Sequence, residues 1–79
     1  MTKLPKITLE EIKKHNNINS LWIIVKNKVY DITEYINQHP AGIKCLIDNG
    51  GKDCTFHISF HNKIAKQILK KYLIGYVSY

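Results

Sequence analysis

Four histidines (His15, His39, His57 and His61) and two cysteines (Cys45 and Cys54) are the side chains of this 79-residue sequence best suited to hold a metal. A neutral imidazole or a thiolate offers a lone pair to a borderline or soft cation, and the backbone around it decides where that pair points. His15 sits among Lys13, Lys14, Asn16 and Asn17 and reads as a surface residue. His39 is different. Pro40 disfavours α geometry in the residue before it, and Gly42 helps the chain reverse, so His39 is expected just past a helix end with its direction fixed. His57 and His61 lie one helical turn apart, so at most one of them can approach a given ion with the same geometry. A zinc module of Cys45, Cys54, His57 and His61 is one alternative, since His-x-x-x-His suits a helix. Against it, eight residues separate the two cysteines, where zinc modules usually place about two to four.

The elements that must position these groups follow from local pattern. Thr8 followed by Glu11 is a capping-box pattern and predicts a short helix to about His15, ended by the polar stretch 16–20. Residues 21–25 (Leu-Trp-Ile-Ile-Val) and 29–32 (Val-Tyr-Asp-Ile) flank Lys26-Asn27 and predict a hairpin. Thr33 reads as the N-cap of a second short helix carrying Tyr35 and Ile36. Ile43, Leu46 and Ile47 keep helical spacing until Gly50-Gly51 stops them, and Asp53 or Thr55 caps the next segment. Ile64, Ala65, Ile68, Leu69, Tyr72 and Leu73 form the apolar stripe of a last helix, with Lys63, Lys66, Lys70 and Lys71 on its other side. Gly75 is expected to end that helix, and Tyr76-Val77 to close as an edge strand. The expectation is one α+β domain over residues 1–79, with several short helices on a small mixed sheet.

Size and charge narrow the function. A domain this small buries a modest core and often leans on a metal or cofactor. Two cysteines are too few for a disulfide framework and no signal-like N-terminus precedes them, so a reducing, cytoplasmic setting is expected. The longest apolar run, residues 21–25, is five long, whereas a membrane-spanning helix needs about 20. A soluble chain without an anchor is therefore expected. Twelve basic residues against six acidic ones give a formal charge of +6. The basic residues are all lysine and are spread along the chain, which argues for a solvated surface and against nucleic acid.

The run Trp22-Ile23-Ile24-Val25-Lys26-Asn27-Lys28-Val29-Tyr30-Asp31-Ile32-Thr33 resembles the cytochrome b5 pattern of a Trp-led strand followed by Lys-Val-Tyr-Asp-hydrophobic-Thr. His39-Pro40-Ala41-Gly42 looks like that family's His-Pro-Gly-Gly motif, and Gly50-Gly51-Lys52-Asp53-Cys54-Thr55 like its Gly-Lys-Asp-Ala/Cys-Thr segment. Phe60-His61, the lysine-rich helix and Tyr72-Leu73-Ile74-Gly75-Tyr76-Val77 resemble its second-ligand region and closing strand. The blocks run in order over residues 7–77.

The resemblance implies a cytochrome b5-like fold, in which short helices on the sheet form a pocket for noncovalent haem b. Its iron would be held by His39 and His61, with His57 the rival for the second position. No Cys-x-x-Cys-His attachment is present. Ile23, Val25, Ile32, Tyr35, Ile36 and Leu46 would supply one wall, and Ile58, Phe60, Ile68 and Leu69 the other. Asn62 falls where the family often uses Ser to bond a propionate, and an amide can donate the same bond. The chain departs from the family in two respects. Ala41 replaces the first glycine of the pair, and the domain is basic where familiar members are acidic. Two histidine ligands close both axial positions, which leaves no vacancy for oxygen or substrate. The expected role is therefore a monomeric electron carrier with no catalytic residues, fed by a flavin-containing reductase and serving a redox enzyme or haem protein. A domain of this fold that has lost haem, and uses its basic last helix on a membrane surface or acidic protein, is the other alternative.

Overall fold

The computed structural model describes residues 4–38, 47–55 and 70–79. Along the chain these form strand β1 (Lys6–Thr8), helix α1 (Leu9–Lys13), and strands β2 (Asn16–Asn17), β3 (Ser20–Val25) and β4 (Lys28–Asp31). Helix α2 (Thr33–Gln38) and strand β5 (Leu73–Ser78) complete the set. The strands make one mixed sheet in the order β1-β5-β4-β3-β2, with β1 parallel to β5 and the other pairs antiparallel.

The β3–β4 hairpin forms as its sequence predicts. Its turn residues Lys26 and Asn27 both have positive φ, 50° and 66°, as the twist of a two-residue hairpin demands. Asn tolerates that region and Lys resists it by about 1 kcal/mol. Three hydrogen bonds hold the turn: Lys26 N donates to Thr55 Oγ1 (2.8 Å), Val77 N to the Asn27 carbonyl (2.9 Å), and Tyr79 OH to Asn27 Oδ1 (2.8 Å). At α1, Thr8 Oγ1 accepts from Glu11 N at 3.2 Å, so the expected cap is present. Gly50-Gly51 ends the helical residues 47–48 as expected, with Gly51 at φ 75° and its N–H donating to the Trp22 carbonyl.

Elsewhere the structure corrects the sequence reading. Tyr76-Val77 is not an edge strand. It belongs to β5, which lies between β4 and β1, because the three-residue β1, too short to show an alternation of its own, covers the far side. Gly75 lies inside β5, not at a helix end. A Cβ there would come within 2.6 Å of the Pro5 carbonyl, so the approach of β1 requires glycine. Tyr72 lies in the turn before β5 and Leu73 is the strand's first residue, so neither extends a helical stripe. Thr33 is the first residue of α2 rather than its cap, since Ile36 N donates to the Ile32 carbonyl. Asn16–Asn17, read as a polar terminator, also pairs with the start of β3. His15 is half-buried. Its ring stacks on Trp22 at 3.5 Å and 7°, with Nδ1 2.6 Å from Ser20 Oγ and Nε2 2.8 Å from Glu11 Oε2. Glu11, at i−4 on α1, is what draws it inward, and that bond, more than the charge of Lys14, holds the Glu11 carboxyl below its usual range.

Alternation along β3 divides the interior between the two faces of the sheet. Ile24 joins Ile12, Val29 and Val77, with Ile7, Leu9, Trp22 and Ile74 packed around them. Leu21, Ile23 and Val25 point the other way, with Tyr30, Ile32, Ile36 and Cys54.

Candidate functional site

The second face builds the site. Ile23 and Ile32 are fully buried, Ile36 is 2% exposed and Val25 8% exposed. Tyr35, Ile47, Tyr72 and Leu73 pack against this group, and the Tyr35 and Tyr72 rings meet edge-on at 6.0 Å. Five residues read from the sequence as one wall of a pocket (Ile23, Val25, Ile32, Tyr35 and Ile36) therefore share one apolar cluster. Among the described residues no side-chain polar atom is buried without a partner.

A hydrogen-bonded knot sets the position of α2 over this wall. Asp31 Oδ1 accepts from Thr33 N (3.1 Å) and Thr33 Oγ1 (2.6 Å), while Thr33 Oγ1 accepts from Leu21 N (2.8 Å). Ile32 N donates to the Leu21 carbonyl and Asp31 N to the Tyr72 carbonyl, at 2.9 and 3.0 Å. The Asp-Ile-Thr sequence thus ties β4, β3, α2 and the turn before β5 at one point. From that anchor α2 runs to Gln38, the residue before His39.

On the other margin, residues 51–54 run beside β3. Ile24 N donates to the Lys52 carbonyl (3.0 Å), Cys54 N to the Ile24 carbonyl (2.6 Å), and Ile24 and Asp53 form a parallel bridge. This register inserts Cys54 into the wall, fully buried, with its thiol donating weakly to the carbonyls of Asn49 and Lys52. Asp53 accepts from Thr55 N at 2.8 Å, and the segment that Asp53 or Thr55 is expected to cap lies outside the described residues. Tyr30 closes the wall toward β5, and burial, more than the neighbouring Tyr76 phenol, pushes its hydroxyl pKa up.

His39, Ala41, Gly42, Cys45, Leu46, His57, Ile58, Phe60, His61, Asn62, Ile68 and Leu69 lie outside the described residues. No group of three or more metal-ligating side chains occurs among the described ones. Sequence reasoning omitted Leu21, Tyr30, Ile47, Cys54, Tyr72 and Leu73 from the wall. Leu21 was recoverable, since period-two alternation places it with Ile23 and Val25. Cys54 was not, because only the 51–54 register turns it inward. A groove of about 410 Å³ adjoins the wall, floored by Tyr72, Leu73 and Ile74 and rimmed by Asp31, Glu34, Asn37 and Lys71. Its charged rim suits water and ions rather than a flat apolar group. No helix among the described residues is long and apolar enough to cross a membrane.

Residues 8–78 match the family model described as the cytochrome b5-like heme/steroid binding domain. The chain is 44% identical over 70 residues to cytochrome b5 of Rhizopus stolonifer, a match covering 86% of this chain and 53% of that protein. It is also 44% identical over 69 residues to inducible nitrate reductase [NADH] 2 of Glycine max, covering 86% of this chain and 8% of the reductase. The chain thus spans about half the length of one relative and a small part of the other. Among solved structures it resembles Ectothiorhodospira vacuolata cytochrome b558, a prokaryotic homologue of cytochrome b5. The TM-score is 0.82 at 31% identity, over 94% of this chain and 99% of that one.

Proposed function

This chain belongs to the cytochrome b5 family, and from that premise we propose that it is an electron-transfer domain whose haem b iron is held by His39 and His61. The observation that carries the reading is the wall of Ile23, Val25, Ile32, Tyr35 and Ile36, over which α2 is pinned so that it ends beside His39 in sequence. A flat, largely apolar macrocycle needs such a wall, and the chemistry of these residues fits it. When bound, haem supplies an iron that gains and loses one electron. The chain's part is to hold it. His39 and His61 would hold the iron through their imidazole nitrogens, and an acceptor at each ring's second N–H would orient it. Leu46, Ile58, Phe60, Ile68 and Leu69 would complete the apolar enclosure, and Asn62 would donate to a propionate.

With both axial positions taken, the domain has no catalytic residues. Its donor is a flavin-containing reductase, and its acceptor a redox enzyme or another haem protein. Nitrate reductases that contain a segment similar to this chain support that pairing. Two cysteines, too few for a disulfide framework, suit a reducing cytoplasmic location for a monomer acting as one domain.

A visible spectrum with carbon monoxide tests the ligation. Haem-loaded protein is expected to show a sharp low-spin Soret band that shifts on dithionite reduction and does not change when carbon monoxide is added. Rapid formation of a carbonyl adduct overturns the two-histidine reading.

A further inference from the structure

Strand register places Lys6, Tyr76 and Lys28 directly opposite one another across β1, β5 and β4. Cross-strand partners project from the same face of a sheet, and the row continues through Lys28 to Val25 on β3, at the margin of the wall described above. Val25 is buried, while Lys28, Tyr76 and Lys6 are exposed, so the row passes from core into solvent within four strands. Tyr76 (40%) and Tyr79 (79%) are two of the three exposed large hydrophobics among the described residues, and both lie on the C-terminal part of the chain beside this hairpin.

The row also carries unbalanced charge. Among the described residues the one lysine ion pair is Lys14 with Glu11, at the end of α1. Neither Lys6 nor Lys28 has an ion pair among the described residues. Asp53, two residues before the Thr55 hydroxyl that holds Lys26 N, accepts from Thr55 N.

We propose that this row is a docking surface for an acidic stretch of polypeptide. Lysines two strands apart stand roughly 10 Å from one another, and an extended peptide spans that distance in about three residues. In an extended peptide same-face side chains fall at i, i+2 and i+4, so carboxylates at i and i+4 bracket that span within reach of the long lysine side chains of Lys6 and Lys28, and the side chain at i+2 lies over the Tyr76 ring. Tyrosine suits such a contact because it offers a large rigid face with little conformational entropy to lose. A lipid surface fits less well. Membrane attachment by a basic patch is strengthened by apolar side chains that enter the bilayer, whereas the exposed rings here are phenols and that of Tyr79 is already bonded to Asn27. The inference does not rest on the electron-transfer reading, because it is tested by binding without electron flow.

The experiment is an NMR titration of the haem-loaded protein with a Glu-x-x-x-Glu peptide and, separately, with phosphatidylserine-containing vesicles. Peptide-induced shifts are expected to centre on Lys6, Lys28 and Tyr76. The double variant Lys6→Glu/Lys28→Glu is expected to weaken peptide binding about tenfold, and Lys13→Glu/Lys14→Glu on α1 to change it less than about twofold. If charge reversal disturbs folding, judged by circular dichroism, the neutral pair Lys6→Gln/Lys28→Gln replaces it, with the same direction expected. Shifts centred on α1, equal losses in the two double variants, or binding of vesicles but not peptide through this row would each overturn the proposal.

Discussion

On one face of the sheet, Ile12, Ile24, Val29 and Val77 close beneath α1, with Trp22 and its stacked histidine at the border. On the other, Leu21, Ile23, Val25, Tyr30 and Ile32 lie under α2 and Cys54. The two groups are nearly alike in side-chain type, and β3 contributes alternate residues to both. They differ in what covers them. The first is enclosed by neighbours in the described structure, whereas the second, in the function proposed above, shares its enclosure with haem. On that proposal one sheet supports a face covered by protein alone and a face that also meets the cofactor. In so small a domain this division lets the first face hold the strands in register for the second.

The strongest way to break that comparison is to remove a ligand. His61→Ala is expected to abolish the low-spin spectrum or release haem, and His57→Ala to leave it intact. Amide hydrogen exchange at Ile12, Ile24 and Val29 reports the opposite face and should stay close to native in both. Loss of that protection in step with haem loss would mean that the faces are not separable. The reverse pattern in the two histidine variants would move the second ligand to His57.

Cavity variants sharpen the comparison further. Ile12→Ala and Ile23→Ala each remove a fully buried side chain and are expected to cost about 2–5 kcal/mol in denaturant unfolding. For Ile12→Ala the loss should be equal with and without haem. For Ile23→Ala it should be greater with haem, because cofactor contacts disappear along with packing. Equal haem dependence in the two variants would show that the wall of Ile23 does not face the cofactor.

Smaller effects are expected at the polar fastenings. Thr33→Val keeps the shape but leaves Leu21 N without its acceptor, at a cost of about 1–3 kcal/mol measured by thermal unfolding. On the opposite face, the Glu11 carboxyl is held below its ordinary value chiefly by His15. Its contribution to stability is present above the unfolded carboxylate pKa and lost as pH falls through the folded value. Trp22 emission should change over that acid range, and Glu11→Gln should remove the transition. Persistence of the transition in that variant would assign it to another group.

Much of this was legible in the sequence because the signals were local. The turn at Lys26-Asn27, the Thr8 cap and the Gly50-Gly51 stop each depend on neighbouring residues, and each appeared where expected. What was missed depends on partners distant in sequence. Gly75 looked like a helix terminator because nothing nearby in sequence reveals Pro5 against its backbone. Thr33 carried the composition of a cap, yet its hydroxyl serves a strand amide 12 residues earlier. His15 seemed solvated among polar neighbours, although Trp22 and Glu11 draw it in. At the site, one wall could be read from alternation and family resemblance together, while the inward turn of Cys54 required the register of residues 51–54.

The parallel pairing of β1 with β5 brings Lys6 against Tyr76 and Thr8 against Ser78. During synthesis the β3–β4 hairpin can close early, since its contacts are local and a hairpin forms within about 1–10 μs. The sheet as a whole cannot. The position between β1 and β4 belongs to β5, the last of these five strands in chain order, and until that strand arrives β1 has no neighbour in the sheet and one side of β4 stays bare. Until β5 is made, such a nascent chain carries an open strand edge, and exposed edges recruit the wrong partner. Substitutions that weaken β5 should therefore lower the yield of folded protein by more than their effect on the finished domain suggests.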